Sequence, residues 1–108
     1  MSNLTSTLLQ GFRARRSIHD LANKSPISNE RIQELLTEVI KNTPSAFNSQ
    51  STRVVLLLGD DHRKLWDIAS EVAAATVPAE LNAKLYAPRT AKFHASYGTV
   101  SPHWVWVR

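Results

Sequence analysis

A chain of 108 residues, 43% of them hydrophobic, makes one small domain at most and carries enough apolar material to argue against wholesale disorder. It has no cysteine, which excludes disulfides, thiolate metal sites and thiol nucleophiles, so any redox chemistry must come from a bound cofactor. The net charge of +4 suits an anionic partner such as a phosphate-bearing cofactor, and no apolar run approaches the ~20 residues that span a bilayer.

In chain order, Leu4, Leu8 and Phe12 recur every four residues and predict a short amphipathic helix, with Asn3 as its expected cap. The basic stretch Arg13–Arg16 follows, then a polar turn over Asn23–Ser28. Ile32, Leu35, Leu36, Val39 and Ile40 form one apolar stripe, predicting a helix from Ser28 to about Asn42 whose buried face is core. Ser28 can cap it, Ile27 can staple against Ile32, and Pro44 prevents its continuation. Val54–Leu58, an unbroken apolar run with a β-branched start, predicts a strand covered on both faces.

Asp60 or Asp61 is then expected to cap a second helix with Leu65, Ile68, Ala69 and Val72 on its inner face. Val77-Pro78 breaks that helix, and Pro78 suits the first turn of another one holding Leu81 and Leu85. Tyr97–Val100 is expected to open a second strand. The three glycines are too scattered for a phosphate loop, and the element order implies an α/β or α+β layer structure.

Few residues suggest chemistry by themselves. Arg15, Ser17 and His19 are spaced by two, so in an extended segment they share one side, with Arg16 and Ile18 on the other. Such a row suits a phosphorylated ligand, through the guanidinium fork, a neutral hydroxyl and a ring donor, although by themselves these residues favour a solvated basic turn. Asn48 and Gln50 offer amides that donate and accept, in a loop just before a buried strand, where they suit the alternating groups of a heteroaromatic ring such as a flavin.

The four histidines lack ligand-like spacing, so no metal site is expected, and no serine sits in a nucleophile-elbow context. The basic residues are dispersed, without a groove-reading helix or aromatic platform, which argues against nucleic acid as a partner. Arg13, Arg15 and Arg16 precede the first acid, Asp20, in the manner of an organellar presequence. A cytoplasmic location is the expectation, with targeting as its alternative.

Read together, the motifs carry a resemblance. Phe12-Arg13-Ala14-Arg15-Arg16-Ser17-Ile18, followed by Pro26–Ile32, resembles the opening of the nitroreductase family. Thr43–Gly59, with Pro44-Ser45-Ala46-Phe47-Asn48-Ser49-Gln50 at its head, is similar to the small nitroreductase-like proteins of fungi and some bacteria. Their continuation His-x-x-Leu-Trp-Asp stands here as His62-Arg63-Lys64-Leu65-Trp66-Asp67.

The resemblance implies a nitroreductase-like α/β (α+β) fold and an intertwined homodimer with FMN at its interface. It implies that Arg15, Arg16, Ser17 and His19 contact the flavin phosphate, ribityl chain or ring edge, and that Asn48 and Gln50 contact the isoalloxazine. The implied chemistry is ping-pong: NAD(P)H reduces the flavin, which reduces a nitroaromatic, quinone or similar acceptor, and no side chain acts as nucleophile. His19 departs from the Arg or Lys frequent in relatives.

The chain is expected to span only the N-terminal part of such a domain, residues 1–100, with 101–108 an atypical tail. Val100-Ser101 can be encoded by GTGAGT, a common form of intron donor site, so a retained intron or gene-model error is one expected origin of the tail. The other reading is a short strand with Trp104 and Trp106 on one face and Val105 and Val107 on the other. The alternative to an active oxidoreductase is a non-catalytic fragment or dimerisation module of the same family.

Overall fold

The computed structural model describes residues 2–104. Helix α1 spans Asn3–Ala14 and is capped by Ser2, whose side chain accepts from the Thr5 amide. The expected cap, Asn3, instead begins the helix, and its carbonyl accepts from the Thr7 hydroxyl. No residue of α1 is buried: Leu4 is 80% exposed and Phe12 71%, so the apolar stripe has no cover among the described residues. After it the chain runs without helix or strand to Ser28.

Helix α2, Asn29–Asn42, matches its sequence signals. Ser28 accepts from the Arg31 amide as the cap, and Thr43 closes the last turn by donating its amide to Val39 O. Strand β1, Thr52–Leu58, pairs antiparallel with β2, Gly98–Trp104, in a two-stranded sheet whose register runs from Thr52↔Trp104 to Leu58↔Gly98. The strand begins two residues before the predicted run. β2 continues across the predicted break at residue 100, while the alternative placements of Val105, Trp106 and Val107 lie outside the described residues.

Cover on both faces of β1 is only partial. Its alternate residues Thr52, Val54 and Leu56 share an open cavity of about 560 Å³ with Leu36 and Ile40 of α2, and Val55 remains 41% exposed. Helix α2 lies along part of one face, and the helix that follows β1 reaches the other only at the Leu57↔Thr99 end, so the two-stranded sheet is not enclosed among the described residues.

Gly59 turns the chain straight from β1 into α3, Gly59–Thr76, with a left-handed φ of 57°. That turn displaces the expected aspartate cap: the N-cap position is Leu58, and Asp60 and Asp61 fall in the first turn, where their charge complements the helix dipole. Leu65 and Ala69 are half-buried as expected, whereas Ile68 and Val72 are exposed. Val77 ends the helix, and Pro78 stands just before α4, Ala79–Leu81. A π-helical turn, Asn82–Tyr86, leads without a break into α5, Ala87–His94, with Pro88 in its first turn.

Where α3, α5 and β2 meet, the best-buried side chain is polar. His62, 1% exposed, places Nδ1 2.9 Å from the Thr99 hydroxyl and Nε2 3.2 Å from the His94 carbonyl. The carbonyl can only accept, so Nε2 carries the proton and donates. Trp66 Nε1 can only donate, and does so to Thr99 Oγ1 at 2.9 Å, which directs the Thr99 proton to His62 Nδ1. Trp66 packs on Phe93 with ring centroids 4.8 Å apart, and His94 Nε2 lies 3.2 Å from Asp67 Oδ1. Among the described residues no apolar side chain reaches full burial.

Candidate functional site

The loop between α2 and β1 holds the amide residues. It contains one 3₁₀ turn, Ala46–Asn48, and three non-glycine residues with positive φ: Phe47 at 53°, Asn48 at 52° and Gln50 at 52°. Such geometry costs about 1–3 kcal/mol per residue for side chains other than glycine. Asparagine tolerates it best, because its short polar side chain hydrogen-bonds locally. Phe47 is fully exposed, so its backbone strain secures no apolar contact within this chain.

Two side chains hold the loop. The Gln50 amide donates to Ser45 Oγ at 2.9 Å, and Arg53 Nη1 donates to Gln50 O at 3.0 Å and to Thr52 O at 3.1 Å. The peptide groups on either side of Gln50 are thus fixed, one through its N–H and the other through its C=O.

Asn48 and Gln50 line one cavity of about 510 Å³, together with the C-terminal end of α2 and the start of β1. Lys41 and Arg53 are also in its wall, and no carboxylate is. Among the described residues the side-chain amides of Asn48 and Gln50 make no hydrogen bond, so each keeps donors and an acceptor for a ligand. An open cavity with two cations, free amides and no acid suits a flat polar heterocycle bearing negative charge.

Arg15, Arg16, Ser17 and His19 do not line that cavity. Arg15 ends α1 in an extended conformation, and all four lie exposed in the irregular segment before α2. The structure therefore brings together the two amides and leaves the basic row apart from them. Sequence reasoning missed Lys41, Arg53 and Ser45 as members of the site. Lys41 reads as the basic end of a helix and Arg53 as a strand-edge charge; only their placement on either side of the same loop joins them.

Comparison with known proteins identifies the family. The nitroreductase family model matches residues 12–102. The putative nitroreductase HBN1 of Saccharomyces cerevisiae is 44% identical over 64 residues, covering 57% of this chain and 33% of its own. The nitroreductase FRM2 of the same yeast is 34% identical over 98 residues, covering 89% of this chain and 47% of its own.

Among solved structures, the nitroreductase CinD of Lactococcus lactis in complex with chloramphenicol superposes with a TM-score of 0.70 at 30% identity, over 90% of this chain and 47% of that one. A nitroreductase of Saccharomyces cerevisiae gives 0.69 at 31% identity, over 93% and 53%. The chain belongs to the nitroreductase family, whose members are generally flavin-dependent oxidoreductases. It has the mixed helix-and-sheet fold of that family and spans about half the length, or less, of the relatives it matches. No helix among the described residues is long and apolar enough to cross a membrane.

Proposed function

We propose that this chain provides the amide-bearing part of an FMN site in an oxidoreductase that takes electrons from NAD(P)H and passes them to nitroaromatic or quinone-like acceptors. The observation that carries the reading is the cavity under the Ser45–Gln50 loop, where unbonded amides and two cations converge without a carboxylate. Bound flavin would supply the hydride and electron chemistry, so the protein needs no nucleophile of its own. Asn48 and Gln50 would orient the isoalloxazine through its carbonyl and N–H edge. Lys41 and Arg53 would favour the added negative charge of its reduced form electrostatically.

Arg15, Arg16, Ser17 and His19 are proposed as the phosphate and ribityl contacts. Their distance from the amide cavity has a ready account if two copies combine: the exposed α1 stripe seats against a second copy, and the basic row of one chain meets the amide pair of the other. CinD, solved with chloramphenicol and with 4-nitrophenol, supports nitroaromatic compounds as acceptors to assay first. A cytoplasmic location is part of the same proposal.

The direct check is a flavin fluorescence titration of the native chain against Asn48→Ala. Removing the amide is expected to weaken FMN binding roughly tenfold, the equivalent of one charge-assisted or well-placed hydrogen bond. An unchanged dissociation constant would take the cavity out of the flavin site.

One observation favours a second reading, a non-catalytic dimerisation module. The apolar stripe of α1 and the open faces of β1 and α3 leave more unpartnered surface than a free-standing enzyme tolerates. That reading is expected to give a chain that associates with a longer family member and binds no flavin alone.

A further inference from the structure

We infer that Arg53 is a positioning residue: its guanidinium holds the Gln50 end of the Ser45–Gln50 loop, where left-handed backbone keeps the Gln50 amide in the cavity that Asn48 shares. The holding is read from geometry alone; its consequence for flavin rests on the function proposed above.

The loop gives up local stability. Positive φ costs nothing at glycine, yet positions 47, 48 and 50 carry Phe, Asn and Gln, so the side chains are kept at the expense of local stability. A conformation of that kind persists only where its surroundings over-determine it. Backbone bonds from Asn48 N–H to Ser45 O and from Ser49 N–H to Ala46 O close the turn around positions 47 and 48, and at Gln50 the side chains of Ser45 and Arg53 complete it. Ser45 Oγ takes the Gln50 N–H, while one Arg53 nitrogen, Nη1, bridges the Gln50 and Thr52 carbonyls at 3.0 and 3.1 Å.

Gln50 is thus fixed by Ser45 before its Cα and by Arg53 after it. The two carbonyls held by Arg53 flank Ser51, where loop passes into strand. Arg53 itself is anchored by the β1–β2 pairing, opposite His103, so the sheet sets the position of the clamp and the clamp sets the loop. Nη1 carries two N–H groups in the fixed plane of the guanidinium, one for each carbonyl.

The test measures backbone hydrogen exchange at Gln50 by NMR in the full chain, with Arg53→Met and Arg53→Lys as variants, beside an FMN titration of each. In both variants the loop is expected to open more often, so that the Gln50 amide, held by Ser45 Oγ only while the loop is closed, exchanges roughly tenfold faster, while α2 amides keep their native rates. Arg53→Lys separates the clamp from the charge, which it preserves. Native protection at Gln50 in both variants would overturn the inference.

The flavin arm is independent. If native chain binds FMN, both variants are expected to bind it more weakly, and the Arg53→Met loss shrinks when Gln50→Gly has already removed the strained side chain. An undiminished Arg53→Met loss in that background would mean that the whole effect of Arg53 on flavin is its charge and none of it passes through the loop. If native chain binds no FMN, the flavin reading fails while the exchange rates still decide the clamp.

Discussion

Replacing Thr99 by Val preserves shape and removes the hydroxyl between Trp66 and His62. Trp66 Nε1–H then loses its acceptor and His62 Nδ1 its donor, in the best-buried place of the molecule. Leaving buried polar groups unpaired costs about 1–3 kcal/mol, so Thr99→Val is expected to lower the urea midpoint by that equivalent; a change under about 0.5 kcal/mol would remove the network from the packing. Gly98→Ala tests a steric limit in the same region. A Cβ at Gly98 would sit 2.6 Å from Leu58 Cδ2 and 2.9 Å from the Leu57 carbonyl. The side chain can turn away but the carbonyl belongs to the paired strand, so a loss of about 1–3 kcal/mol is expected from the same unfolding measurement.

Charge matters less at this scale. The hydrogen bond and charge of Arg63 hold the Asp60 carboxyl below its ordinary value of 3.8. A depressed carboxylate stabilises the fold above that value and loses its contribution as pH falls through the lowered one. The group is fully exposed, so salt screens the pair, and Asp60→Asn is expected to leave the midpoint at neutral pH unchanged.

At the scale of elements, the sequence was informative where local signals agree. For α2, Ser28 at the start, a stripe from Ile32 to Ile40 and Pro44 beyond the end all gave the same bounds, and the helix follows them. For α3 the aspartates suggested a cap, but Gly59 in left-handed conformation makes the turn and moves the start back to itself. The amides of Asn48 and Gln50 were legible as ligand-binding types. The loop that presents them was not, since no glycine marks its positive φ angles and the clamp by Arg53 depends on the strand pairing.

Helix α1 has a legible stripe whose cover no single-chain pattern could supply. A 12-residue helix without packing is marginal in water, so its order is expected to depend on a second copy. Leu8→Glu is therefore expected to abolish dimerisation in sedimentation while leaving β1–β2 exchange protection native; a dimer unaffected by that charge would place the interface elsewhere.

Across the whole molecule, the radius of gyration is 17.6 Å, with extents of 54 × 39 × 26 Å. A compact domain of this length is expected near ~13 Å. The excess agrees with the exposed stripe of α1, the half-covered β1 and the missing apolar core among the described residues. The chain matches the family over residues 12–102 and covers about half of FRM2 and of CinD. A single chain is accordingly expected to bind a hydrophobic dye such as ANS more strongly than a dimer does, by comparison across a dilution series.

The central claim, that this chain carries a flavin site completed by a second copy, is tested most directly by titrating the purified 108-residue chain into FMN while its mass is followed by sedimentation. The expected result is saturable fluorescence quenching that appears with the dimer and is lost on dilution to monomer. A folded, dimeric chain that leaves FMN fluorescence unchanged would contradict the claim.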